Sequence, residues 1–184
     1  MDQEARREAL QERRVEKDKS FRGSHNSPIP ENERRNFRGL RYFSFNPELV
    51  FEVELEEIVN PSEIIMATSV EGQESLYRKV GFFEFEVEAL PQKIYAYRRD
   101  DQHIHGPPSL FIPFRDGTSG KTTYGAGRYL DLQVSPSGSY VLDFNEAYNP
   151  YCTYSPSYIC PLPPRENWLM VDIPAGEKDY KPVS

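Results

Sequence analysis

Two cysteines, Cys152 and Cys160, bracket the seven residues TYSPSYI. A proline between thiols so spaced can return the chain until the sulfurs meet, where they could serve as a redox pair, a nucleophile or metal ligands. Otherwise they pack as small hydrophobes, and two free buried thiols are the expectation. A second set of residues surrounds them. Arg115 and Asp116 close one apolar run, Thr118, Tyr124 and Arg128 fall in the turn region after it, Asp143 and Asn145 share one side of a later run, and Tyr148 and Asn149 open a Pro-punctuated loop. A guanidinium clamps a carboxylate or an anionic ligand through paired N–H groups, and Tyr and Asn orient what it holds. A carboxylate withdrawn from water needs a partner, so Arg115 or Arg128 is expected to pair with Asp143. Either a buried network pins loops to one end of the fold, or these groups line a pocket for a polar or anionic small molecule.

Other chemistries are excluded by spacing. GTSGKTTYG resembles a phosphate loop, but counting back from Gly120-Lys121-Thr122 the required glycine would fall at Arg115. Gly125-Ala126-Gly127 is too short for a dinucleotide fingerprint, and no GxSxG, HExxH or CxxC motif occurs. His103 and His105 could complete a two-His, two-Cys zinc site with Cys152 and Cys160. Their flanks, Asp100-Asp101-Gln102 and Gly106-Pro107-Pro108, read instead as a polar loop, so neither metal nor cofactor is expected.

These residues are carried by short segments with a two-residue period. Phe51, Val53 and Leu55 alternate with glutamates, as do Phe83, Phe85 and Val87. Leu130/Leu132/Val134, Tyr140/Leu142/Phe144 and Leu169/Val171/Ile173 repeat the pattern, with weaker candidates at 40–45, 63–69, 75–80, 92–98 and 109–114. Turn signals at Asn60-Pro61, Glu71-Gly72, Leu90-Pro91, Asp116-Gly117 and 135–138 separate them. The expected architecture is mainly all-β: an antiparallel barrel or sandwich of about 8–10 short strands behind an N-terminal helix. Residues 1–22 form that charged helix, 23–178 a single β domain and 179–184 a tail. The helix should be solvated and weakly docked through Val15 and Phe21.

A net charge of −7 argues against nucleic acid or anionic lipid as a partner. No apolar run approaches the ~20 residues that span a bilayer, and the charged N-terminus lacks a signal-peptide core, so a cytoplasmic location is expected. Twelve Tyr and eleven Phe supply enough burial for a folded core despite only 38% hydrophobic residues.

The blocks PFRDGTSGKTTYGAGRYLDL (113–132), DFNEAYNPYCTYS (143–155), CPLPPRENWL (160–169) and AGEK (175–178) resemble a bacterial and archaeal family catalogued as a domain of unknown function. The resemblance begins near Lys17-Asp18 and Phe21-Arg22 and continues through Ser27–Pro30 and Phe37–Phe43. It implies one domain in which the blocks form one feature, and it carries no reaction or catalytic residue.

Three functional readings follow. One is a ligand-binding β domain whose site draws on Arg115, Asp116, Thr118, Tyr124, Arg128, Asp143, Asn145, Tyr148, Asn149, Cys152 and Cys160. The second is a hydrolase-like enzyme with Asp143 or Asp116 as base, Tyr124 or Tyr148 as acid and Arg128 as anion clamp. The third is an interaction or structural domain that uses the helix and the loop 148–160.

Overall fold

The computed structural model describes residues 2–99 and 108–180; His103 and His105 lie outside them. Among the described residues eight strands follow the N-terminal helix α1 (Gln3–Gly23) and the one-turn helix α2 (Glu31–Arg34). They are β1 (Val50–Glu54), β2 (Glu56–Glu57), β3 (Glu63–Ala67), β4 (Glu74–Val87), β5 (Leu90–Arg98), β6 (Ser109–Phe114), β7 (Arg128–Gln133) and β8 (Ser139–Asp143). All pair antiparallel, in two open sheets: β1 with β8, and β2-β4-β5-β6-β7 with β3 also on β4. Neither closes on itself, so the architecture is a sandwich rather than a barrel.

The period-two residues meet between the sheets. Val53, Tyr140 and Leu142 from the small sheet pack on Phe83, Phe85, Ile94, Ala96, Leu110, Ile112, Phe114 and Leu130 from the large one. Phe144 is the hub, with its ring centroid 5.3–6.1 Å from those of Phe51, Phe85 and Phe114. The alternating glutamates 52, 54, 84 and 86 face water, as the pattern predicts.

Four local differences from the sequence pattern have physical reasons. Residues 75–80 and 83–88 fuse into the single long strand β4, because a bulge at Lys79–Gly81 absorbs the change of phase. The hairpin after β4 turns at Glu88 and Ala89, with φ of 50° and 63°; Leu90 and Pro91 already belong to β5. Leu169, Val171 and Ile173 alternate inward as expected but form no ladder. That segment instead docks by single bonds, Leu169 N–H to Arg115 O and Gly117 N–H to Val171 O, both 2.8 Å. Helix α1 seats Leu10 and Phe21, whereas Val15 stays 42% exposed. Its docked face is basic: Arg6, Arg13 and Lys17 pair with Asp143, Glu146 and Glu177, and Arg14 donates to Phe43 O and Asn145 O. A stripe built from arginine stems escapes a search for apolar periodicity.

The other face of the large sheet carries a second cluster, Met66, Tyr77, Tyr97, Phe111, Tyr129 and Cys160. Residues 148–161 cross this face as a strap anchored at both ends. Tyr148 and Tyr129 exchange backbone hydrogen bonds of 2.9 and 3.0 Å, and Ser69 N–H donates to Cys160 O at 2.8 Å beyond the end of β3. Among the described residues no helix is long and apolar enough to cross a membrane.

Candidate functional site

Arg128, the first residue of β7, points into a region with no access to water (0% exposed). Its Nη2 donates to Asp116 Oδ2 at 3.0 Å and to Ile173 O at 2.9 Å. Its Nη1 donates to Glu177 O at 3.1 Å and, by a short bond, to Ala175 O. The partner is therefore Asp116, not Asp143, and the two Nη groups otherwise bond the backbone of residues 173–177, while Nε is buried without a partner among the described residues. Burial lowers the Arg128 pKa while Asp116 opposes that shift. The other Asp116 oxygen caps the turn, accepting from Thr118 N–H at 2.8 Å and Thr118 Oγ1 at 2.6 Å; Thr118 in turn meets Thr123 at 2.9 Å. Gly127 (φ 106°) lets the chain before Arg128 run close to Phe114 and Pro163, because a Cβ there would lie 2.5 Å from Phe114 O and 2.7 Å from Pro163 Cγ.

Asp143 belongs to a separate node. It accepts from Asn145 N–H at 2.9 Å and Asn145 Nδ2 at 2.8 Å and faces Arg6 at 3.6 Å. Asn145 closes onto the backbone of Asn46, accepting its N–H at 2.7 Å and donating to its carbonyl at 2.8 Å. Arg115 stands apart, its guanidinium 4.4 Å above the Trp168 ring. The predicted polar constellation is thus divided among distinct loop anchors.

What converges instead is a cavity of about 500 Å³ under the strap. Its floor is the outer face of the sheet: Tyr77 and Phe111, stacked at 5.3 Å, with Tyr129 edge-on to Phe111 at 4.8 Å. The strap supplies Tyr148, Tyr151, Tyr158 and Cys160, and helix α1 supplies Lys17. Tyr148 donates its hydroxyl to Asp131, and burial followed by that carboxylate pushes the phenol pKa well up, so it remains a donor. Lys17 lies 5.2 Å from the centroids of the Tyr148 and Phe21 rings and pairs with Glu177. Glu177, 2% exposed, also accepts from Asn149 N–H at 2.8 Å and Tyr154 OH at 3.0 Å. Of the candidates read from the sequence, Tyr148 and Cys160 line the cavity. Asn149 and Cys152 lie in the strap, and Tyr124 reaches Cys152 Sγ at 3.9 Å. Lys17, Tyr77, Phe111 and Tyr129 escaped notice because each sits in an ordinary helix or strand pattern. The one available signal was the excess of tyrosine over what solvent faces need.

The cysteines are free thiols, Cys160 buried and Cys152 half-buried. Cys152 N–H donates to Cys160 Sγ at 3.3 Å. A hydrogen bond from the Cys160 thiol, with others from Tyr124 and Ser69, pulls the Cys152 pKa down to about 6 against the opposing effect of burial. The Cys160 thiol shifts the opposite way because its proton is held by Cys152 and it is buried. The Tyr124 phenol, raised to about 12 by burial and by Cys152, stays protonated. Among the described residues no three His, Cys, Asp or Glu side chains gather as a metal site would require.

Fold and site define a two-sheet β protein with an aromatic cavity roofed by a cysteine-bearing strap. Residues 35–178 match the family model described as "Protein of unknown function (DUF1684)", and the chain belongs to that family. Among solved structures, it is similar to the solution NMR structure of an uncharacterised protein of Haloarcula marismortui, 35% identical over 95% of both chains, with a TM-score of 0.71. No curated protein matches the chain.

Proposed function

We propose that the protein binds a small molecule with a planar, largely apolar body and an anionic group, held in the cavity under the strap. The carrying observation is the cavity itself: about 500 Å³, floored by Tyr77, Phe111 and Tyr129, with Lys17 at its edge. That volume suits a compact ligand, aromatic faces favour a flat one, and an ammonium whose one carboxylate partner among the described residues is Glu177 retains donors for an anion. A cytoplasmic site belongs to this reading. The hydrolytic alternative has less support, since Asp143 and Arg128 are each engaged by other groups and not by one another.

A thermal-shift screen of aromatic carboxylates, phosphates and sulfonates tests it. A ligand at 100 times its dissociation constant should stabilise the protein by ~2.7 kcal/mol. Ile159, half exposed in the wall, allows a charge test that leaves the core untouched. Ile159→Glu should weaken the ligand and Ile159→Lys tighten it. Absence of any stabilising compound, or a response of the opposite sign, would refute the reading.

A further inference from the structure

The two thiols occupy unequal positions. Cys160 is fixed in place: its N–H donates to Ser69 Oγ at 3.0 Å, its carbonyl accepts from Ser69 N–H at 2.8 Å, and its side chain is buried. Cys152 sits in the single 3-10 turn Tyr151–Thr153, half-buried, with its N–H aimed at Cys160 Sγ and the Tyr124 hydroxyl on its own sulfur. Cys152 is thus the more exposed sulfur, and hydrogen bonds from the Cys160 thiol and the Tyr124 hydroxyl favour its thiolate. Cys160 lies beside it, its Sγ 3.3 Å from the Cys152 nitrogen, on a segment pinned to Ser69. A pair that merely filled space would have both thiols disfavoured as anions.

We propose that Cys152 and Cys160 form a thiol–disulfide exchange site for a low-molecular-weight disulfide, with Cys152 as the attacking sulfur and Cys160 as the resolving one. The Cys152 thiolate attacks one sulfur of R–S–S–R. A mixed disulfide forms, the R–S–S–R bond breaks, and RS⁻ leaves with the electron pair and takes up from solvent the proton that Cys152 released. Cys160 then attacks the Cys152 sulfur. The Cys152–Cys160 bond forms, the mixed disulfide breaks, and the Cys160 proton passes to the second leaving RS⁻. The protein loses two electrons and two protons, and the disulfide becomes two thiols. The adjoining cavity, which Cys160 helps to wall, leaves room for the R group. This assignment does not depend on the cavity holding a resident ligand.

The test uses the reduced full chain and oxidised glutathione, with N-ethylmaleimide trapping, intact mass and peptide mapping. The wild type should lose both thiols and retain no glutathione, while the mixed disulfide trapped at early times maps to Cys152. Cys160→Ser should stop at that mixed disulfide, and Cys152→Ser should react at least about ten-fold more slowly. The wild-type trapping experiment stands even where a variant folds poorly. The assignment is overturned by a wild type that stays reduced while its urea-unfolded form reacts, by early glutathione on Cys160, or by a wild type that stops at the mixed disulfide.

Discussion

Arg128 Nη2 and Asp116 Oδ2 are 3.0 Å apart with both side chains withdrawn from water, and this pair holds residues 173–177 against the core. Burying two charges gains little by itself, but removing one leaves the other uncompensated. Asp116→Asn should therefore cost about 3–5 kcal/mol by urea unfolding, more than truncating an exposed carboxylate. Combining it with Arg128→Met should recover part of that loss, since the orphaned cation goes with it. Additive losses would mean that the two side chains act independently.

Asn167 bridges a splay in the large sheet. Among the described residues strands β5 and β6 share one register pair, Tyr97 with Phe111. The Asn167 side chain fills the gap, accepting from Tyr95 N–H at 2.7 Å and donating to Tyr95 O and Pro113 O at 2.9 and 2.8 Å. Asn167→Ala strands those buried groups and should cost about 3 kcal/mol. Asn167→Asp should be worse at neutral pH, because an anion would face two carbonyls, and should improve as acid neutralises it. Equal stability of the two variants across the pH range would contradict this arrangement.

The helix α1 contact is electrostatic as well as apolar. Lys17→Met keeps a stem on Tyr148 and Phe21 but withdraws the cation from Glu177, which keeps only its Asn149 and Tyr154 donors. A loss of about 1–3 kcal/mol is expected, and a Lys17→Met/Glu177→Gln cycle should give a coupling above ~1 kcal/mol. Deleting residues 2–22 should lower the melting temperature, since Leu10 and Phe21 are buried in the helix interface. An unchanged melting temperature would show the helix to be a detachable appendage.

The Cys152 thiolate gives a pH signature. Alkylation by iodoacetamide should follow a titration with its midpoint near pH 6, and Tyr124→Phe should move that midpoint upward by removing a donor. Folding depresses this pKa from an ordinary 9.0, so its stabilising effect is present above pH 9 and is lost as pH falls through about 6. The stability difference between wild type and Cys152→Ser should therefore grow from pH 6 to pH 9. A flat difference, or an alkylation midpoint near 9, would show that the neighbouring donors do not reach the sulfur.

The strands were legible because alternating side chains at Phe83–Val87 or Tyr140–Phe144 record which face is dry. The partners of the polar residues were not. Arg128 and Asp143 lie 15 residues apart in sequence and both needed compensation, yet which carboxylate meets which guanidinium depends on how loops pass over the sheet ends. The cavity was harder still, because Tyr77 and Phe111 on the outer face look like surplus surface aromatics until a strap is laid over them. Lys17, one of many charges on a helix with a thin apolar stripe, offered no periodic signal at all.

The short segment 173–178 carries a consequence for biogenesis. Its carbonyls hold Arg128, its Ile173 and Ala175 belong to the core, and its Glu177 receives Lys17 from the opposite end of the chain. During synthesis the strands can emerge and pair, but the buried arginine has no carbonyls to bind and the helix no carboxylate to meet until residue 177 has cleared the ribosomal tunnel. The native interior therefore closes only after this segment has emerged, and until then the nascent chain presents the uncovered apolar face of the 14-residue β4, which chaperones would have to shield.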